Sequence, residues 1–143
     1  MSTMPAVATV VPHEPPMLML DALVDYGAGY AVAERSVPDD RFARDGRVDA
    51  VVTFECMAQT VAACLGCEAL AEGGRVRVGM VVACRSMTIE RPVLTVGETL
   101  RFEARRVRGT ESTSHFECDT HDADGALVSR CTLTLVHGER LPG

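Results

Sequence analysis

The stretch Asp49–Leu70, DAVVTFECMAQTVAACLGCEAL, decides how the rest of the chain is read. It is long, free of proline and rich in Ala, Val, Met and Leu, which predicts a helix. Asp49 suits its N-cap, and Gly73-Gly74 stops the run after Glu72. Apolar residues fall on nearly every face, with Val51, Phe54, Val61 and Leu65 on one side and Val52 and Met57 on others. A helix that is apolar all round is either buried or in a membrane. Thr53, Glu55, Gln59 and Thr60 argue against a membrane span, and no basic flank follows. The helix is therefore expected to be wrapped by the rest of its own domain.

Glu55 is the only charge between Asp49 and Glu68. A lone carboxylate on a buried helix costs several kcal/mol unless it is paired, neutralised or in a wet cavity. Gln59 follows one turn later on the same face, and Ala58, Ala62 and Gly66 continue a stripe of small residues. Small residues let a backbone, a partner helix or a thin ligand come close. Two readings stay open here. Glu55 is a carboxyl group at the end of a narrow apolar slot, or a structural carboxylate satisfied by backbone N–H groups or an arginine.

At 143 residues the chain is expected to form one domain, residues 1–143, with Met1–Val11 a leader poorly ordered at its start. Hydrophobic residues make up 47%, which places it among globular chains. A net charge of −6 argues against nucleic acid as partner, and two Tyr, four Phe and no Trp make base-stacking platforms unlikely. The first residues lack the basic start and apolar core of a signal peptide, so a cytoplasmic chain with reduced cysteines is expected. Cys64-x-x-Cys67 has zinc-like spacing but lies inside the predicted helix without a second pair. No metal and no cofactor are expected.

Ahead of the helix, Pro12-His13-Glu14-Pro15-Pro16 is stiff and holds His13 in a defined position. Met17–Tyr26 and Tyr30–Val37 read as strands joined at Gly27-Ala28-Gly29. Residues Pro38–Val48 read as a polar loop anchored by Phe42. After the helix, four strands are expected: Val76–Glu90, Thr99–Val107, Ser112–His121 and Ala126–Val136. Gly79 in the first marks a close approach of backbone or ligand. Leu100, Phe102 and Ala104 alternate inward in the second, and Asp124-Gly125 signals a hairpin before the last. The order is β-β-α-β-β-β-β: an α+β domain whose last four strands form an antiparallel meander curling round one helix. A second copy is expected to cover the helix's remaining side.

That order and several phrases resemble the hotdog-fold 3-hydroxyacyl-thioester dehydratases of fatty acid synthesis. Pro12-His13-x-Pro15-Pro16-Met17-Leu18-x-Leu20-Asp21 is similar to the family's PHxxPxLLxD opening, and Glu55-Cys56-Met57-Ala58-Gln59 to its ExMAQ motif. Gly79, Arg91-Pro92-Val93 and Val96-Gly97-Glu98 resemble its G…RPVxxGD run. The match runs from about Val11 to Val136. It is nearest to the divergent branch found with aryl-polyene-type pathways. One departure stands out. The family's catalytic His belongs to a GHFPGxP loop before the helix, and here that loop is Phe42–Val48, with no His between residues 14 and 114.

The resemblance implies dehydration of a 3-hydroxyacyl thioester, borne by the phosphopantetheine of an acyl carrier protein, to the 2-enoyl thioester. Glu55 carries over as a catalytic acid, and His13 is the candidate for the base. Gln59, Gly79, Phe42, Ala58 and Ala62 are expected to line the acyl site. The acidic carrier is expected to meet Arg85, Arg91 and Arg105. A homodimer is expected, or a heterodimer with a related hotdog subunit. Two other functions fit the same residues: a non-catalytic partner subunit of an active dehydratase, and an acyl thioesterase.

Overall fold

The computed structural model describes residues 4–11, 17–73, 80–110 and 112–136. His13 and Gly79 lie outside these residues, as do Gly74–Val78.

The central run forms helix α2, Val52–Ala71, about 30 Å long. It begins three residues after the predicted cap. Asp49 Oδ1 accepts from the Val51 N–H at 2.9 Å, so it closes the turn before the helix. Thr53 and Phe54 N–H then bond to the Ala50 and Val51 carbonyls and start the helix as a tight turn. Before it, β1 (Ala22–Gly27) and β2 (Tyr30–Ser36) form the expected hairpin. β1 starts later than predicted, because Met17 and Met19 are bonded to Gln59 of α2 before the chain reaches β2 at Asp21.

Two features depart from the expected strands. The stretch 38–48 is not a plain loop: β3 (Ala43–Arg44) and β4 (Arg47–Asp49) pair across Asp45-Gly46, both at positive φ. Asp-Gly with both residues left-handed is a two-residue hairpin turn whose twist suits the flanking strands. β6 (Val93–Thr95) adds to β4 and completes a three-stranded sheet over the helix start.

The four-strand meander is also corrected. The large sheet has the order β1-β2-β7-β8-β9-β5, with β5 Met80–Ile89, β7 Thr99–Gly109, β8 Thr113–His121 and β9 Leu127–Val136. β7, β8 and β9 are a meander, but β5 pairs with β9 at the far edge and β7 pairs with β2. The cause lies in residues 90–98. Glu90 and Arg91 are held to Val128, β6 is drawn onto β4, and Gly97 and Glu98 are tied to Val37. The chain is thus carried across the helix start to the free edge of β2.

Inward side chains follow the predicted alternation. Leu100, Phe102 and Ala104 on β7, Phe116 and Cys118 on β8, and Cys131, Leu133 and Leu135 on β9 are all buried against α2. The leader is partly docked: helical turn α1 (Val7–Val10) buries Val7 and Val10. A Cβ on Gly66 would stand 2.1 Å from the Val10 carbonyl oxygen, so this turn needs glycine there. The close approach inferred for the small-residue stripe is, at Gly66, that of the chain's own backbone.

Candidate active site

Helix α2 is covered on most of its circumference. One stripe stays partly open: Val51 is exposed, and Phe54, Glu55, Ala58, Ala62, Leu65 and Ala69 are half-buried. The positions recur at helical spacing, so they form one face. Glu55 is therefore half-buried at the head of this stripe, where the sequence predicted it deeper. Ala58 and Ala62 continue the stripe from it, which brings three of the predicted site residues onto one face.

Gln59 is bonded to Glu55. It is wholly buried, and its Nε2 donates to Glu55 Oε1 at 3.1 Å and to the Met17 carbonyl at 2.6 Å. Its Oε1 accepts from the Met19 N–H at 2.8 Å. Gln59 thus joins the carboxylate to the segment that emerges from the proline-rich opening. The pairing expected from the i, i+4 spacing is present.

Cys56, next along the helix, is buried, and desolvation pushes its thiol up to about 11 despite the Arg35 guanidinium nearby. Burial likewise pushes the Cys64 thiol up to about 12. Both are protonated at neutral pH and are poor nucleophiles. Cys64 and Cys67 are free thiols in the core. Among the described residues no group of His, Cys, Asp and Glu could hold a metal ion, and no helix is long and apolar enough to cross a membrane.

The described histidines lie elsewhere. His115 and His121 sit on β8 at positions that alternate with the inward Ser114, Phe116, Cys118 and Thr120, so they face away from α2. His115 Nδ1 is 2.9 Å from Thr134 Oγ1.

Beside the helix start lies a narrow crevice of about 10 Å³, room for roughly one water molecule, walled by Phe42, Val48, Val52, Leu94, Leu100 and Phe102, with Asp40 at its polar side. Arg35, missed in the sequence, lines it too. It is inward on β2, in step with the buried Ala31 and Ala33, and its side chain is 12% exposed. The period-2 alternation Ala31-x-Ala33-x-Arg35 was the signal available. Phe42, predicted at the site, is 40% exposed and carries the Arg41 guanidinium over its ring at 4.5 Å.

The three predicted carrier contacts divide. Arg85 is exposed on the edge strand β5. Arg91 forms a two-pronged pair with Glu98 at 2.9 and 2.6 Å and reaches Asp122 at 3.6 Å. Arg105 is engaged by Glu103 and Asp119.

No curated protein matches the chain. Among solved structures, the dehydratase heterocomplex ApeI:P from Xenorhabdus doucetiae superposes with a TM-score of 0.88 at 19% identity, covering 96% of this chain and 94% of that one. The PaaI protein of the E. coli phenylacetic acid degradation operon gives 0.64 at 16% identity, over 80% of each chain. A hypothetical thioesterase from Streptococcus pneumoniae, solved with coenzyme A, gives 0.66 at 16% identity, over 83% of this chain and 87% of that one. The fold is thus the hotdog fold, an antiparallel sheet about one long helix. The family model described as ApeP dehydratase matches residues 5–141, and with that span the chain belongs to the ApeP-like dehydratases.

Proposed function

We propose that this chain serves the dehydration of a 3-hydroxyacyl thioester, carried on the phosphopantetheine of an acyl carrier protein, to the 2-enoyl thioester. The observation that carries this reading is Glu55, held by Gln59 at the head of a half-open stripe of small residues. Dehydration needs one group to take the α-proton and another to protonate the departing β-hydroxyl, which leaves as water. Glu55 is the acid, and Ala58 and Ala62 leave room for an extended chain beside it. The thioester oxygen needs N–H donors as charge develops on it, a role for a backbone N–H of the helix start or for one near Gly79. His13 is the base when the chain works alone.

A second hotdog subunit covers the open stripe and the β5 edge in this reading, as a copy of this chain or as a relative. Where the cover is a relative, that subunit supplies the base while this chain supplies Glu55. The match to one chain of a dehydratase heterocomplex agrees with that arrangement. The carrier's acidic surface meets Arg85 before Arg91 or Arg105, since the latter two already hold carboxylates. Location in the cytoplasm, where thiols stay reduced, belongs to the same proposal.

The test is turnover of a 3-hydroxyacyl-carrier thioester by the purified chain, alone and with a hotdog relative. Enoyl absorbance and free thiol are followed together. Enoyl product that falls by about a hundredfold or more in Glu55→Gln supports the proposal. Product only in the mixture identifies a partner subunit. Thiol release without enoyl product would make it a thioesterase, and product unaffected by Glu55→Gln would remove Glu55 from the chemistry.

A further inference from the structure

The face of the large sheet turned away from α2 carries a groove of about 440 Å³, at the end where β7 begins and β8 finishes. Its floor is one row of side chains across three strands. Glu34 on β2 lies directly opposite Arg101 on β7, and Arg101 directly opposite His121 on β8. Each alternates with buried neighbours, Ala33, Leu100, Phe102 and Thr120, so the three stand together on the outer face. Thr99 flanks the row, and the turn from Asp122 to Gly125 forms the rim.

The rim is held by its own bonds. Asp122 Oδ1 accepts from the Asp124 and Ala126 N–H groups, both at 3.0 Å, and its Oδ2 stands 3.6 Å from Arg91. The Gly125 N–H closes the turn onto the Asp122 carbonyl at 3.0 Å. The Asp122 carboxylate is thus committed to the turn. The floor is different. Among the described residues, the side chains of Glu34, Arg101 and His121 have no hydrogen bond or ion pair. Opposite charges directly across an antiparallel pair ordinarily meet. Asp119 and Arg130, in that same relation on β8 and β9, bond at 2.6 Å. Glu34 and Arg101 do not close on each other, and the groove lies over the gap between them.

A carboxylate and a guanidinium on either side of a gap match a ligand that carries both charges in the opposite order. An ammonium beside Glu34 and a carboxylate in the fork of Arg101 each gain a charged hydrogen-bond partner. An anion alone would face Glu34, and a cation alone would face Arg101. Neighbouring strands are about 5 Å apart, so both charges belong on one small molecule. The Thr99 hydroxyl and the His121 ring can each donate and accept, which suits an uncharged polar tail. We infer that this groove is a binding site for a small zwitterion of the α-amino acid class with an uncharged polar side chain. It lies across the sheet from Glu55 and stands independently of the proposed function.

The test is an NMR titration of the full-length protein at neutral pH with three probes. L-Glutamine carries both charges, glutaramate is glutamine without the ammonium, and γ-aminobutyramide is glutamine without the carboxylate. L-Glutamine is expected to shift the backbone amides of residues 99–101 and 121–126 saturably. It is expected to bind about tenfold more tightly than either analogue, the worth of one charged hydrogen bond. Arg101→Met is expected to bring glutamine level with γ-aminobutyramide, and Glu34→Gln to bring it level with glutaramate. Both side chains stand outside the core, and a thermal midpoint checks that each variant is folded. Arg101→Lys, which keeps the charge without the fork, is expected to hold part of the preference and serves if the methionine variant fails to fold. The absence of a saturable shift, shifts centred away from these residues, equal affinity for all three probes, or a preference that survives both substitutions would each overturn the inference.

Discussion

Gln59 makes three hydrogen bonds from a wholly buried position, and two of them, to Met17 and Met19, join parts of the chain that would otherwise separate. Replacing it with Leu keeps the volume but leaves the Met17 carbonyl and the Met19 N–H without a partner. The expected loss is about 2–4 kcal/mol, since each buried group left unpaired costs roughly 1–3. A chemical-denaturation midpoint measures it. Gly66→Ala acts by another route. The new methyl group would meet the Val10 carbonyl, a backbone atom that cannot rotate away. The expected loss is about 1–3 kcal/mol, with earlier proteolysis of residues 4–11 as the specific sign that α1 has lifted off. The Glu55–Gln59 pair was legible in the sequence because helical spacing alone brings i and i+4 together. Arg35 was not, because its partner Asp40 lies in the loop beyond β2, whose position a strand pattern does not carry. Glu68 was read only as the end of a run whose one charge is Glu55, since its arginine lies on a strand 38 residues away.

At the scale of elements, the helix and the inward faces of β7, β8 and β9 were readable because one periodicity governs each. The β3–β4 hairpin was missed although its signal, Asp45-Gly46, is the same as the Asp124-Gly125 pair that was recognised. Its strands are so short that no alternation marks them. The position of β5 was misread for a different reason. Short connections favour sequential pairing, but the tie of residues 90–98 to β4 and Val37 overrides that preference. The Glu68–Arg106 pair is the main polar link between α2 and the sheet. Glu68 also accepts from the Gly29 N–H at 3.1 Å, and Arg106 donates its own N–H to the Gly29 carbonyl at 2.7 Å. Glu68→Gln and Arg106→Met should each destabilise by about 1–3 kcal/mol, less than a fully buried pair because both side chains keep some contact with water. The double variant should lose less than the sum of the two, which a double-mutant cycle in urea would measure.

For the whole molecule, two carboxylates tie stability to acidity. The Arg91 fork holds Glu98 below the usual carboxylate range, with the Thr95 N–H assisting. Burial pushes Asp119 upward, but the hydrogen bonds from Arg130 and Arg105 outweigh it and hold it below its ordinary value. Both groups release their proton more readily folded than unfolded. Their contribution is therefore complete above the unfolded values, near pH 4, and is lost as pH falls through the lower folded values. Urea midpoints should hold level from pH 7 to about 5 and then drop. Glu98→Gln should be less stable at pH 7, and its gap from the unaltered chain should close in acid.

The edge of β5, which no further strand joins among the described residues, and the half-open stripe of α2 bear on how the chain fares in a cell. Val81 and Ile89 on that edge strand are 39% and 37% exposed, and Val51 at the head of the stripe is 55% exposed. An unpaired strand invites other strands, and an apolar face invites chaperones and proteases. Copies made in excess of whatever covers these surfaces would be the first to be cleared or to precipitate. If a relative provides the cover, the supply of the two chains is matched by degradation: the scarcer one sets the amount of both.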